Sequence, residues 1–397
     1  FMTVQPSVSF WDCGEFVAAS VSLQVPHPPG TPFFLLLGNI FSKLPIGENL
    51  GYRVNMISVI SSAISILLLY LIAVKLIENY KGKKADNMFD AIATYVSAAI
   101  GALAFSFSDT FWFNGVEAEV YAFSTFLFAA VTYLIIRWNE RADNTDSEKY
   151  ILMIAYLTGL STGVHLMSVL ALVPVVMIVM FRKYVNDEES LKKTGYIFLG
   201  HIVIILLLAV FWWSSQKSQT APTLEEYKDF DTKFKLFIAG ISALIMGVYW
   251  KKIFTRNSFY MPLIIGGIAL FATYPGVVKY LPELMTAIAG DNIVTEIIIL
   301  AVLFAGLAYG VHYSRKESKP TLHLVFMSFI FILVGFMTFA MVIIRSNQNP
   351  PMDENDPDTF TELVKYLNRE QYGDFPTFKR RFATELHQQI VYTAYSS

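Results

Sequence analysis

Residues 6–32 read PSVSFWDCGEFVAASVSLQVPHPPGTP, and the rest of the chain is arranged around them. The stretch sets Asp12 and Glu15 one turn apart, then His27, then Pro28, Pro29 and Gly30. At i and i+3 the two carboxylates share one face of a short helix. Pro28 and Pro29 remove two backbone donors and fix the chain direction, which excludes an uninterrupted helix. The chain beyond residue 32 is largely apolar, in blocks of roughly 20 residues, the length that crosses a bilayer. A carboxylate pair amid such sequence is costly unless it is paired, hydrated or functional. Two readings stand: a capped, solvent-facing loop between spans, or a reaction site at the membrane surface.

Composition narrows the class. Of 397 residues, 54% are hydrophobic and 16% charged, where soluble domains carry about 25% charged residues. The chain is an all-α polytopic membrane protein, and a soluble enzyme is excluded. A net charge of -2 argues against a nucleic-acid partner. Cys13 is the one cysteine, so an intrachain disulfide and a thiolate metal cluster are excluded.

Hydropathy predicts ten spans, at 54–77, 91–107, 116–136, 150–160, 166–180, 195–213, 234–249, 259–273, 293–311 and 322–344. Phe1 to Val4 read as the tail of an eleventh. Phe33 to Leu44 is apolar but too short to span, and reads as an interfacial helix. Loops at 75–90, 137–149, 182–193, 251–256 and 315–319 hold 17 Lys or Arg, against 7 in the alternate loops before residue 344. The positive-inside rule puts the first set in the cytoplasm. The 6–32 loop, Glu117, Glu119 and Arg345 then share the outer face. Two regions result: a transmembrane domain at 1–344, and an extracytoplasmic segment at 345–397 that begins a larger soluble region. Asp358 to Leu367 reads as a short capped helix.

WDCGEF at 11–16 with VPHPPGTPFFLLLG at 25–38, WFNGVEAEVYAF at 112–123, RSNQNPPMDENDP at 345–357 and YLNREQYGD at 366–374 resemble membrane glycosyltransferases of the GT-C fold. The likeness is greatest to the bacterial DUF2723 family, related to protein O-mannosyltransferases. This resemblance implies a GT-C-like helix bundle with an outward-facing catalytic first loop containing interfacial helices. It implies a lipid-phosphate-linked sugar as donor, an extracytoplasmic protein Ser or Thr as acceptor, and a multi-pass place in the bacterial inner membrane facing the periplasm. It also places the catalytic acid in the first loop, so Asp12 is the first choice of base and Glu15 the second. The O-mannosyltransferases have an adjacent Asp-Glu pair, whereas here the two acids are three apart.

Transfer from a lipid phosphate needs a carboxylate to take or orient the acceptor proton, and cations or dipoles for the departing phosphate. His27 precedes Pro28 as in the His-Pro-Pro element of the O-mannosyltransferases, although Val25 stands where they often have Asp. It either contacts phosphate, orders Asp12, or caps the interfacial helix. Arg53 and Arg345 stand at outer membrane boundaries as phosphate ligands or as snorkelling side chains, with His165 a more remote phosphate candidate. Glu117, Glu119 and Tyr121 either face the substrate or lie hydrated in an aromatic belt. Pro28, Pro29 and Gly30 shape the backbone. No metal ligand set is assigned; the acidic 353–356 run lacks EF-hand spacing.

Two other functions compete with glycosyl transfer. One is a transporter or flippase of a lipid-linked substrate, which lacks support from paired, Gly/Pro-broken spans in two halves. The other is a non-catalytic scaffold of an envelope complex. Besides the donor and acceptor, membrane lipids are the partners expected.

Overall fold

The computed structural model describes residues 2–28, 30–215, 217–218, 223–290, 292–373 and 381–382. Pro29 lies outside the described residues, as does most of the chain beyond Gly373. Fifteen helices of four residues or more occur in order among those residues: α1 Cys13–Ser22, α2 Phe33–Ser42, α3 Leu50–Lys81, α4 Met88–Ser106, α5 Asp109–Gly115, α6 Val120–Glu140, α7 Glu148–Thr162 and α8 Leu166–Lys183 lead. Then come α9 Glu188–Ser215, α10 Leu224–Val248, α11 Trp250–Ile253, α12 Tyr260–Ala289, α13 Ile293–Lys316, α14 Pro320–Ser346 and α15 Phe360–Asn368. The extended pairing is slight: Lys217–Ser218 runs parallel to Arg381–Phe382, and Val25 bridges Asp353.

Among the described residues, eight helices are long and apolar enough to cross a membrane, not ten. The spans expected at 150–160 and 234–249 fall in α7 and α10. The first is only 15 residues long, roughly 22 Å of helix against a hydrocarbon core of about 30 Å. The second begins in a charged stretch, with Glu225, Glu226, Lys228, Asp229 and Asp231 in its first two turns. Helix α12 also differs from expectation. It does not open into a loop at Tyr274 but continues through a π-helical turn, Pro275–Tyr280, to Ala289. Pro275 begins that turn, where its missing N–H costs least.

The helices form two compact units. One runs through Arg182 and resumes over Gly266–Gln371; the other is built on Lys183–Ile265. In the second, α9 packs on α10, and buried His201 sits between the Tyr260 hydroxyl and Ser242 Oγ, each at 3.2 Å.

In the first unit, α14 packs on α7, α3 on α6, and α6 on α7. Helices α7 and α14 meet at glycines: a Cβ on Gly159 would lie 2.2 Å from the Ile332 carbonyl oxygen, and one on Gly335 2.6 Å from the Leu160 nitrogen. Small residues let the backbones touch, as in other membrane bundles. The unit has two distinct ends. At one, Tyr121 packs its ring on His165, 5.4 Å between centroids, and Ser58 bonds the Glu119 carbonyl. At the other, Lys75 meets Glu140 at 3.2 Å, Arg141 reaches the Tyr150 hydroxyl at 3.1 Å, and Arg182 pairs with Asp143. Thus α7 joins the same two ends as α6 despite its shortness, and Lys75, Arg141 and Arg182 stand at the end away from the first loop.

The first loop is seated by its own apolar face. Cys13, Phe16, Val17 and Ser20 are the buried positions of α1 together with Ala19, the i, i+3, i+4, i+7 stripe of an amphipathic helix. Cys13, Phe16, Val17 and Ala19 pack with Phe34 and Leu35 of α2, Val54 and Ile57 of α3, and Val120, Phe123 and Leu127 of α6. Burying a side chain the size of Phe16 contributes roughly 1.5–3 kcal/mol. Gly30 completes the seat. Its φ of +83° suits glycine, and a Cβ there would stand 2.7 Å from Phe16 and 2.8 Å from Val120.

From the other side, Val25, Phe339, Val342, Leu363 and Tyr366 form a second cluster. The Tyr366 hydroxyl donates to the Pro26 carbonyl at 2.6 Å, and the Val25 N–H to the Met352 carbonyl at 3.0 Å. Helix α15 starts at a Thr359 cap that accepts from the Glu362 N–H, close to the helix read from sequence.

Candidate functional site

Helix α1 begins immediately after Asp12 and carries Glu15 in its first turn. The chain then leaves α1 through Leu23, which has a left-handed φ of 50°, and returns His27 over the same turn. Glu15 Oε1 accepts the His27 backbone N–H at 3.0 Å, and Oε2 lies 2.8 Å from His27 Nδ1. The other ring nitrogen, Nε2, lies 3.5 Å from Asp12 Oδ2. Carboxylate, imidazole and carboxylate therefore stand in a row. Asp12, at the outer end, is 55% exposed at its side chain, while Glu15 and His27 are half-buried.

The row sets its own electrostatics. Burial works against a charged imidazole, but the bond and charge of Glu15, with the charges of Asp12 and Glu354, raise the His27 pKa. Burial likewise opposes charge on Glu15, yet its two bonds from His27 and the imidazolium charge bring its pKa below the usual value. When charged, the imidazolium donates from Nδ1 to Glu15 and faces Asp12 with Nε2–H. These three side chains offer ligand atoms within 4.8 Å of one another, a spacing that also suits a bound cation.

Helix α6 starts at Val120 rather than Val116, so Glu117 and Glu119 precede it instead of sitting on its opposite faces. Both are buried. Ser9 Oγ donates to Glu117 Oε2, and Glu117 Oε1 has no hydrogen-bond partner among the described residues. Burial, reinforced by the charges of Asp12 and Glu117, pushes the Glu119 pKa up to about 7. Glu119 is thus electrostatically part of the Asp12 group. Tyr121 is exposed and packs beside His165.

The two arginines expected at the phosphate are engaged elsewhere. Arg53 donates to the Ser42 carbonyl at 2.9 Å and twice to the Gly47 carbonyl, closing the end of α2. Arg345 donates to the Leu23 carbonyl at 2.6 Å and the Ser22 carbonyl at 3.0 Å, closing the end of α1. Both hold the first loop in shape.

Several contributors are not evident from sequence. Asn55, fully buried in α3, donates to the Gln5 and Ser7 carbonyls at 2.8 and 2.9 Å and so anchors the chain before Asp12. A polar residue inside an apolar span was the available signal. Gln24 and Tyr366 bind backbone across more than 300 residues, a separation for which local pattern gives no sign.

Fold and site together define a multi-spanning helical membrane protein with an acid–imidazole cluster seated at one end of its bundle. The family described as protein O-mannosyl-transferase TMEM260 N-terminal domain matches residues 12–188. That stretch starts at Asp12 and takes in Glu15, His27, Arg53, Glu117, Glu119 and Tyr121. The chain is 27% identical to the protein O-mannosyl-transferase tmem260 of Dictyostelium discoideum over 183 residues, 44% of this chain and 20% of that protein. It is 27% identical to the protein O-mannosyl-transferase TMEM260 of Mus musculus over 192 residues, 48% of this chain and 25% of that protein. The aligned stretch spans a quarter or less of the length of these relatives. No solved structure matches the chain.

These likenesses correct two expectations. The match is to the TMEM260 family and not to DUF2723. Short first-loop motifs do not by themselves separate one such family from another. The relatives are proteins of an amoeba and a mouse, which overturns the placement in a bacterial inner membrane facing a periplasm.

Proposed function

We infer that this chain carries the reaction loop of a GT-C-type membrane glycosyltransferase. It moves a sugar from a polyprenyl-phosphate donor to a protein Ser or Thr hydroxyl, on the side opposite the basic loops. The observation that carries this reading is the row Glu15–His27–Asp12, in which one carboxylate is tied down and the other is free to meet a substrate. The likeness to proteins named O-mannosyl-transferases supports the reaction class.

Asp12 is the base. It is the exposed member, its only side-chain partner among the described residues is His27, and its charge helps to raise the Glu119 pKa. It takes the proton of the acceptor hydroxyl as that oxygen bonds to the anomeric carbon. The bond from that carbon to the phosphate oxygen breaks, and its electron pair leaves on the lipid phosphate. Attack opposite the leaving group inverts the anomeric configuration. Glu15 is a positioning residue that acts through His27. Glu119, carrying a proton for much of the time near pH 7, offers an O–H to the sugar without adding a full charge beside Asp12.

The test is sugar transfer by purified full-length protein from a polyprenyl-phosphate sugar to a hydroxyl-bearing acceptor. Asp12→Asn should lower turnover by roughly 10²- to 10⁴-fold, the usual weight of positioned proton transfer, with donor binding retained. Full activity in Asp12→Asn, Glu15→Gln and the double variant would overturn the reading.

A further inference from the structure

With Arg53 and Arg345 bonded to backbone carbonyls, the lipid phosphate needs another seat. The first unit holds an open-sided cavity of about 590 Å³ between α8 and α12. Leu166, Met167, Leu170, Leu270 and Phe271 give it apolar walls, and its polar rim is His165 with Tyr274. Most of these apolar walls are exposed side chains on membrane-length helices, so they face hydrocarbon. The volume lies within the roughly 300–1,000 Å³ of typical ligand sites.

The rim carries the donors that an anionic headgroup requires. His165 Nδ1 accepts the Met167 backbone N–H at 3.2 Å. That bond places the ring proton on Nε2, which has no hydrogen-bond partner among the described residues. Burial and the charge of Arg369 both lower the His165 pKa, favouring this neutral form. Arg369 comes directly after α15, which packs on the Pro275–Ala289 part of α12, and its charge is felt at both His165 and Tyr274. Its side chain is exposed and makes no ion pair or hydrogen bond among the described residues. An unengaged guanidinium whose charge reaches a neutral imidazole N–H suits phosphate oxygens.

The rim is also continuous with the reaction loop. The Gly30 N–H donates to the Val164 carbonyl at 2.8 Å, tying the turn before His165 to the residues just after His27. On its other side, His165 packs against Tyr121, two residues beyond Glu119.

We propose that the cavity between α8 and α12 seats the apolar tail of a polyprenyl phosphate, with its phosphate held between Arg369 and His165. The proposal deepens the glycosyl-transfer reading by naming the donor's seat, and in that sense rests on it. Apolar volume, cationic rim and acidic reaction loop then lie in the order of tail, phosphate and sugar along such a lipid.

Gly267 allows a clean test, because it lines the cavity and a Cβ there meets nothing within 4 Å. The probe is a polyprenyl phosphate with a photoactivatable diazirine in its tail, added to full-length protein in lipid nanodiscs. Labels should fall on 166–170 and 267–275. Gly267→Leu and Arg369→Ala should each cut labelling about tenfold or more, the weight of one charge-assisted contact or its equivalent. Both variants should keep the wild-type melting temperature. Polyprenol without phosphate should label less and ignore Arg369→Ala, and inorganic phosphate should compete only weakly.

Unchanged labelling in both folded variants would overturn the proposal, as would equal competition by phosphatidic acid, which would mark a general phospholipid seat. The two readings separate cleanly. Arg369-dependent labelling without any sugar transfer by wild type would sink the transferase and leave the lipid seat. Asp12-dependent transfer with labelling indifferent to Arg369 and Gly267 would do the reverse.

Discussion

Glu15 binds His27 twice, through the backbone N–H at 3.0 Å and through Nδ1 at 2.8 Å. Two bonds from one carboxylate fix both the path of the chain at residue 27 and the direction of the imidazole. The opposite ring nitrogen can then only face Asp12, 3.5 Å away. The spacing of Asp12 and Glu15 has a plain consequence. One acid stands at the start of α1 and stays exposed, while the other, a turn later, is taken up by the returning chain.

Glu15→Gln keeps an acceptor for the His27 N–H but removes the anion that stabilises the imidazolium. The His27 pKa should therefore fall, as read by NMR titration of the labelled imidazole. Turnover should fall less than in Asp12→Asn. A larger loss in Glu15→Gln than in Asp12→Asn would exchange the two roles.

Glu119 gives a pH dependence with a definite sign. Its folded pKa of about 7 lies above the ordinary carboxylate value. The native state thus binds the proton more tightly, and the associated stability is present below about pH 4.5 and lost as pH rises to 7. Glu119→Gln should flatten this loss, which for a shift of this size is on the order of 3 kcal/mol. Chemical denaturation of the two proteins at pH 5 and pH 8 checks it: identical pH slopes would mean that Glu119 titrates normally.

The parts legible in sequence were those fixed by local pattern. Apolar run length marked eight of the ten expected spans, the Asp12–Glu15 spacing marked a short helix, and Pro28 and Gly30 marked a bend. Charge bias marked the basic end now seen at Lys75, Arg141 and Arg182. Arginine roles were not legible, because a guanidinium at a helix end looks the same whether it meets phosphate or, as at Arg53 and Arg345, a neighbouring helix's carbonyls. The start of α6 was misplaced because Val116 and Ala118 are apolar, and hydropathy does not register that Glu119 takes an extended backbone. Local pattern does not single out Arg369, since the helix before it meets the 275–289 segment only through long-range packing.

The two ends of the first unit should lie on opposite sides of the membrane. In a Cys13→Ser background, single cysteines at Ala85, Asp143 and Glu317 should react with an impermeant thiol reagent only after the membrane is opened on the cytoplasmic side. Cysteines at Trp11 and Pro350 should react from the other side without opening. Labelling of positions 11 and 350 from different sides would separate Arg345 from the first loop and contradict its bonds to Ser22 and Leu23.

The glycine contact between α7 and α14 offers a test of how the bundle supports the site. A Cβ on Gly335 would meet the Leu160 nitrogen at 2.6 Å and the Tyr156 oxygen at 2.7 Å, both backbone atoms that cannot rotate away. Gly335→Ala should therefore push the helices apart and cost roughly 1–3 kcal/mol, as overpacking does. Gly101→Ala and Gly306→Ala are the controls, since they lie in α4 and α13 with nothing within 4 Å of the new Cβ. Relieved of glycine's backbone freedom, they should be neutral or stabilising by about 0.4–1 kcal/mol. Thermal melting in detergent would rank the three. The effect should also reach the reaction loop, because α14 ends beside Arg345, whose guanidinium holds the Ser22 and Leu23 carbonyls. A shifted α14 loosens that grip, frees the return of the chain to His27, and weakens the hold of Glu15. Gly335→Ala should then lower the His27 pKa as well as the melting temperature, whereas a variant that melts early with an unchanged His27 titration would show that the loop is held by α1 and α2 alone.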